Sequence, residues 1–238
     1  MVFLITTALT IVCGFILLPT LKKHKLRQTV RDDGPQTHLC KMGTPTMGGV
    51  VFLIPVTIVS AFLLREYPDI LALILTTLAF GTIGFVDDML KVRKKSKDGL
   101  FARQKLLLEI VAAAGLSLYM AVFSQAGTDM IIPFTHMEKV VTLPTWFYIP
   151  FIIFVIVAVT NAVNLTDGVD GLASGVTLTI FVFVTVISML SIEWESSGIF
   201  SAVMAGGCLG FLAFNMHPAR MFMGDTGSLA LGGAVASI

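Results

Sequence analysis

The sequence predicts an all-α polytopic integral membrane protein with its N-terminus outside. Charge is scarce, the apolar residues fall in runs long enough to cross a bilayer, and basic residues collect in alternate loops. Of 238 residues, 55% are hydrophobic and 13% charged, where about a quarter would be charged in an ordinary soluble domain. Segments 1–21, 46–64, 70–86, 146–163, 172–192 and 198–216 carry no charged side chain, and 106–124 carries only Glu109. Each approaches the roughly 20 helical residues that cross about 30 Å of hydrocarbon. These make seven complete spans. An eighth, "GSLALGGAVASI", ends at residue 238, too short to cross at about 1.5 Å per residue. The expectation is one transmembrane domain over residues 1–238, cut inside its eighth helix, with a complete protein continuing beyond.

Orientation follows from the loops. The first, third, fifth and seventh hold 14 of the 16 Lys and Arg: six in 22–43, seven in 91–105, none in 164–171, and Arg220 in 217–226. Only Arg65 and Lys139 fall in the even loops. The positive-inside bias therefore places the odd loops in the cytoplasm. Lys and Arg follow the first span rather than precede it, so it reads as a retained helix and not a signal peptide. "REYPD" is a tight outside turn, residues near 139–143 suggest a small hairpin, and Trp146, Phe147, Tyr148 and Trp194 read as interfacial anchors. Cys13, Cys40 and Cys208 are scattered, suggesting neither disulfides nor zinc. A net charge of +1 gives no global field for a nucleic-acid partner.

With orientation fixed by basic residues alone, four unusual polar stretches land on the cytoplasmic face: "KMGTPTMGG", "VDDMLK", "NAVNLTDGVDG" and "NMHPARMFMGDTGS". Polar residues at the edge of a membrane span mark functional sites. In the third stretch Asn161, Asn164, Asp167 and Asp170 recur every three residues, a drifting stripe if the helix continues. Gly168 and Gly171 then allow close backbone approach or end the helix. Capping of the next helix explains one of these four residues but not all. They are candidates to hold a ligand or metal.

Asp87 and Asp88 have Lys91 at i+4 and i+3, enough for an ordinary helical ion pair. Adjacent residues point about 100° apart, however, so one lysine cannot neutralise both. Neighbouring carboxylates push their proton affinities apart unless a cation sits nearby, and Mg²⁺ favours one or two carboxylates plus substrate phosphates. The pair therefore indicates a metal–phosphate site, or proton transfer beside one. Most of the run Lys91, Arg93, Lys94, Lys95, Lys97 serves topology and anionic lipid. Lys91 and Lys105 are the phosphate candidates, with Lys41 just before a helix start that Thr44 can cap and Pro45 can open. Asp225 precedes a helix that Thr226 or Ser228 can cap. Asn215 and Phe222 supply an amide and a ring for gripping a base, and His38 and His217 can reach phosphate, whereas His24 and His136 read as surface residues.

These stretches resemble the signatures of the polyprenyl-phosphate sugar-1-phosphate transferases of cell-wall synthesis, over the whole chain and in the expected order. "GTPTMGG" with "NLTDG" resembles the muramoyl-pentapeptide branch rather than relatives using UDP-N-acetylglucosamine. The resemblance implies ten transmembrane helices, Mg²⁺ dependence, often a homodimer, and a cytoplasmic active site on the bacterial inner membrane. It implies transfer of phospho-MurNAc-pentapeptide from UDP-MurNAc-pentapeptide to undecaprenyl phosphate, releasing UMP and forming lipid I. It further implies Asp87 and Asp88 as the catalytic pair and Asp225 as metal ligand. Lys41, Thr46, Asn164, Asp167, Asp170, Asn215 and Phe222 would surround the nucleotide, with Asn161 in the same stripe and Lys91 and Lys105 toward phosphates. The family's histidine-rich loop and last two helices would lie beyond residue 238. A transporter, the competing class, would place carboxylates near mid-membrane in broken helices. Here only Glu109 enters a span, and near its end.

Overall fold

A computed structural model describes residues 1–23, 44–94, 99–123, 127–131, 140–190 and 194–238. Among these residues eight α-helices follow in chain order: α1 (Val2–Lys23), α2 (Gly49–Leu63), α3 (Ile70–Lys94), α4 (Ala102–Phe123), α5 (Thr145–Thr166), α6 (Leu172–Ile187), α7 (Glu195–Asn215) and α8 (Gly224–Ser237). Strands β1 (Asp129–Ile131) and β2 (Val140–Thr142) form the expected hairpin before α5, antiparallel with Asp129 opposite Thr142.

Among the described residues six helices are long and apolar enough to span a membrane. The second predicted span is the exception. It contracts to 15 residues, roughly 22 Å, because Thr44–Gly48 does not join the helix. Pro45 carbonyl instead accepts from Phe222 N at 2.8 Å, and Gly48 and Gly49 N donate to the Phe222 and Met223 carbonyls at 2.8 and 2.9 Å. Thr44 and Pro45 therefore do not start the helix as their residue types suggested. Main-chain pairing with the approach to α8 overrides that local preference, and Met47 takes a left-handed φ of 66° to permit it.

Among the described residues α3 and α8 share the most extensive helix–helix contact. Their contact runs through small residues, as membrane helices without a solvent-driven hydrophobic term require. A side chain at Gly81 would touch Ala230 and Leu53 at 3.2 Å, and one at Gly233 would meet the Phe80 ring. α1 packs on α7 by the same means, with Gly206 and Gly210 facing Thr6 and Thr10. The inner faces are filled by Phe52, Phe80, Phe181, Phe200 and Phe211, all fully buried. Large apolar side chains on the outer faces, including Phe62, Phe123, Phe154 and Phe183, remain exposed, as suits a surface bathed in lipid.

Candidate active site

The helix ends carrying the four polar stretches come together at one end of the bundle. Asp87, Asp88 and Asp225 each offer a carboxylate oxygen, and these oxygens lie within 4.8 Å of one another. The first two are 2% and 4% exposed, whereas the Asp225 side chain keeps 21% of its surface open, so the cluster lies at the edge of the buried interior. Lys91 and Lys105 offset them. Lys91 Nζ lies 2.6 Å from Asp87 Oδ2 and 3.0 Å from Asp225 Oδ2. Lys105 Nζ reaches the same Asp225 oxygen at 2.9 Å and Asn164 Oδ1 at 3.4 Å. Asn164 Nδ2 donates to Asp225 Oδ1 at 3.2 Å and to Ser228 Oγ at 2.7 Å. Three carboxylates against two ammonium groups leave one formal negative charge, which favours a further cation.

The two adjacent aspartates do different things. Asp88 accepts from Asp225 N at 3.2 Å, Thr226 N at 2.9 Å and Thr226 Oγ1 at 2.7 Å. It therefore caps α8 from another helix, satisfying N–H groups that a helix start leaves free. Thr226 and Ser228 do not supply the cap: Thr226 donates its hydroxyl to Asp88, and Ser228 Oγ donates to Gly224 carbonyl inside the helix. Asp225 is accordingly in the first turn of α8, not ahead of it. Asp87 accepts from Leu100 N at 2.7 Å through its other oxygen. That contact exists because Gly99 has no Cβ; one added there would run into Asp87. Neither Leu100 N nor Thr226 stood out in the sequence as an aspartate partner, and "KDGL" offered only its glycine as a hint.

The predicted polar stripe divides. α5 ends at Thr166, so Asn161 and Asn164 lie on the helix while Asp167 follows as its C-terminal cap residue and Asp170 sits in the turn before α6. Gly171, with φ of 75°, opens α6 without a side-chain cap. The residue at the N-cap of α6 is thus a glycine and none of the four polar residues. Asp170 Oδ2 instead meets His217 Nδ1 at 3.0 Å and accepts from Ala219 N at 3.2 Å, tying the fifth loop to the seventh. Thr46 is buried beside Gly224, whose φ of 72° suits glycine, and Phe222 is half-buried in the stretch that pairs with Pro45. Lys41, Cys40, Lys95, Lys97, His24, His38 and His136 lie outside the described residues.

Asn215 is 2% exposed. Its Oδ1 accepts from Gly171 N and Ser174 Oγ, both at 3.1 Å, and its Nδ2 donates to Met221 carbonyl at 3.0 Å. One amide thus joins α6, α7 and the approach to α8. Asn215→Ala is expected to strand at least one buried partner and destabilise the fold by about 1–3 kcal/mol, read as a lower melting temperature in detergent.

The description of glycosyl transferase family 4 matches residues 70–238, which contain every element of this cluster. The chain belongs to that family. A shorter match, to the phospho-N-acetylmuramoyl-pentapeptide-transferase signature 1, covers residues 41–53. A phospho-N-acetylmuramoyl-pentapeptide-transferase of Acetivibrio thermocellus is 54% identical over 237 residues, spanning 100% of this chain and 71% of that protein. One of Clostridioides difficile is 45% identical over 232 residues, spanning 98% and 71%. A third, of Caldanaerobacter subterraneus, is 45% identical over 235 residues, spanning 99% and 72%. The resemblance read from the four motifs is borne out. Within the family 4 match lie both α3, with its aspartate pair, and the first turn of α8 that the pair holds.

Proposed function

We propose that the chain transfers phospho-MurNAc-pentapeptide from UDP-MurNAc-pentapeptide to undecaprenyl phosphate, releasing UMP and forming lipid I at the cytoplasmic face of the bacterial inner membrane. The observation that carries this reading is the group of three aspartates and two lysines, from buried to partly open, at one end of an apolar bundle. Two anions, one soluble and one lipid-borne, must meet there, and catalysis of such an exchange rests on positioning and charge neutralisation. The names of the relatives supply the substrate class. An apolar groove facing the bilayer would take the lipid tail, and a homodimer is the expected assembly.

The donor set fits Mg²⁺. Carboxylate oxygens are hard ligands of the kind this ion prefers, oxygens of all three aspartates lie within 4.8 Å of one another, and the cluster keeps an excess negative charge. Asp225 would hold the ion, with Asp87 at its edge, and the ion when bound would neutralise the diphosphate and the departing UMP. The protein's own groups do the rest. Lys91 and Lys105 carry positive charge to the phosphates. Asn164 orients Asp225 through one carboxylate oxygen while the lysines hold the other. Asp88 has three of its roughly four acceptor positions filled by the start of α8, so it positions Asp225. Asp87 is then the carboxylate that takes the proton from the lipid phosphate as that phosphate attacks directly. Lys41, Thr46, Asp167, Asp170 and Phe222 would receive the nucleotide, with Asn215 holding the loops that carry them.

The test is UMP release by the purified protein in detergent. Release is expected only when UDP-MurNAc-pentapeptide, undecaprenyl phosphate and Mg²⁺ are all present. Release with UDP-N-acetylglucosamine as the better donor would move the protein to the other branch, and movement of an intact donor across a vesicle membrane would make it a carrier. A phosphorylated Asp87 or Asp88, trapped with donor and no lipid, would replace direct attack by a covalent intermediate.

A further inference from the structure

Glu109 has no part in the reaction as derived above. It is 1% exposed and sits in α4 one turn beyond Lys105. Asn161 Nδ2 donates to its Oε2 at 2.6 Å, and the same amide nitrogen also reaches Val157 carbonyl at 2.9 Å. Oε1 is buried and accepts no hydrogen bond from the described residues. A buried carboxylate oxygen without a partner is costly, so this oxygen points to a group that comes to it in another state of the site. Lys105 and Asp225 are both within its electrostatic reach.

Lys105 has reason to move. It holds Asp225 Oδ2, and Lys91 holds that same oxygen. A divalent cation entering among the three aspartates cannot share one oxygen with two ammonium groups, because like charges repel strongly where water is scarce. Lys91 has another partner in Asp87, on its own helix. Lys105 has Glu109, four residues along α4, where side chains of one helix face meet.

We propose that Glu109 is a positioning residue that receives the Lys105 ammonium when a divalent cation takes Asp225. This rests on reading the three aspartates as the cation site. Glu109 then keeps Lys105 near the cluster, turned away from the metal and available to a substrate phosphate. Without Glu109, Lys105 stays on Asp225 and competes with the ion.

The experiment measures Mn²⁺ binding to the full chain in detergent by electron paramagnetic resonance, with no nucleotide or lipid. Glu109→Gln is expected to raise the Mn²⁺ Kd about tenfold. Lys105→Met should lower it by removing the competitor, and in that background Glu109→Gln should change Kd by less than about twofold. An equal loss in both backgrounds would overturn the proposal, because Glu109 would then act as a bare charge or as a ligand. So would a Kd indifferent to Glu109→Gln in the otherwise wild-type chain. No Mn²⁺ binding by the wild-type protein would remove the cation reading itself, and this proposal with it. Glu109→Gln keeps an acceptor for Asn161; should it fail to fold, Glu109→Asp keeps the charge but shortens its reach, and the same comparison in both backgrounds applies.

Discussion

Asp225→Asn is expected to lower lipid-dependent UMP release by about 10²–10³-fold while leaving the protein folded, on the scale of losing one group that stabilises transition-state charge. Asp225 is where the cluster converges: two lysines share one of its oxygens and Asn164 holds the other. The substitution removes one negative charge and turns the three-carboxylate cluster into a two-carboxylate one. On the proposed reading, a divalent ion would then lose its central ligand. Folding tolerates the change because each lysine keeps another partner, Asp87 at 2.6 Å for Lys91 and Asn164 Oδ1 at 3.4 Å for Lys105. Asp88 also caps α8 through main-chain donors and Thr226, all of which survive. Steady-state UMP release and a melting curve, taken on one preparation, check both halves. Release within about tenfold of wild type would move the cation away from Asp225 and leave this residue a role in helix packing.

The second large effect is mechanical. Gly84 is on α3 where α8 begins, and a Cβ there would collide with the backbone of Asp225 and lie 2.6 Å from Thr226 N. Backbone cannot rotate aside as a side chain can. Gly84→Ala is therefore expected to push out the first turn of α8 and break the Asp88 cap. Overpacking typically costs about 1–3 kcal/mol and a lost cap about 1 kcal/mol more, so the melting temperature and UMP release should fall together. Gly115→Ala is the matched control. It is also within a helix, but nothing lies within 4 Å of the added methyl, and alanine's better helix propensity makes it neutral or slightly stabilising. Equal behaviour of the two variants would mean that α3 and α8 are not in register as described.

The bundle was legible in the sequence because hydrocarbon leaves so little choice: long uncharged runs and basic alternate loops are direct imprints of the bilayer. The meeting of the aspartate pair with Asp225 was legible for the same reason, once orientation put both on one face. Partner choice was harder to read. Lys91 does pair with Asp87 at i+4, but its second partner is Asp225, more than a hundred residues away. Thr44 and Pro45 carried a sound local signal for a helix start, yet main-chain pairing with Phe222 and Met223 took precedence. Asn215 suggested a hand for a base, and its hold on three backbone or hydroxyl groups could not be read from its type. Each of these differences comes from a contact between distant parts of the chain, which residue type and spacing do not encode.

The cap that Asp88 places on α8 has a consequence for biosynthesis. The two residues are 138 positions apart, and α3 is threaded into the membrane long before α8 leaves the ribosome. Until then the aspartate pair has neither the helix start it caps nor the third carboxylate beside it, and Gly84 faces an empty groove. The early helices therefore cannot assemble the three-aspartate cluster by themselves. It comes into being at one moment of translation, when the last described helix slides in against the third.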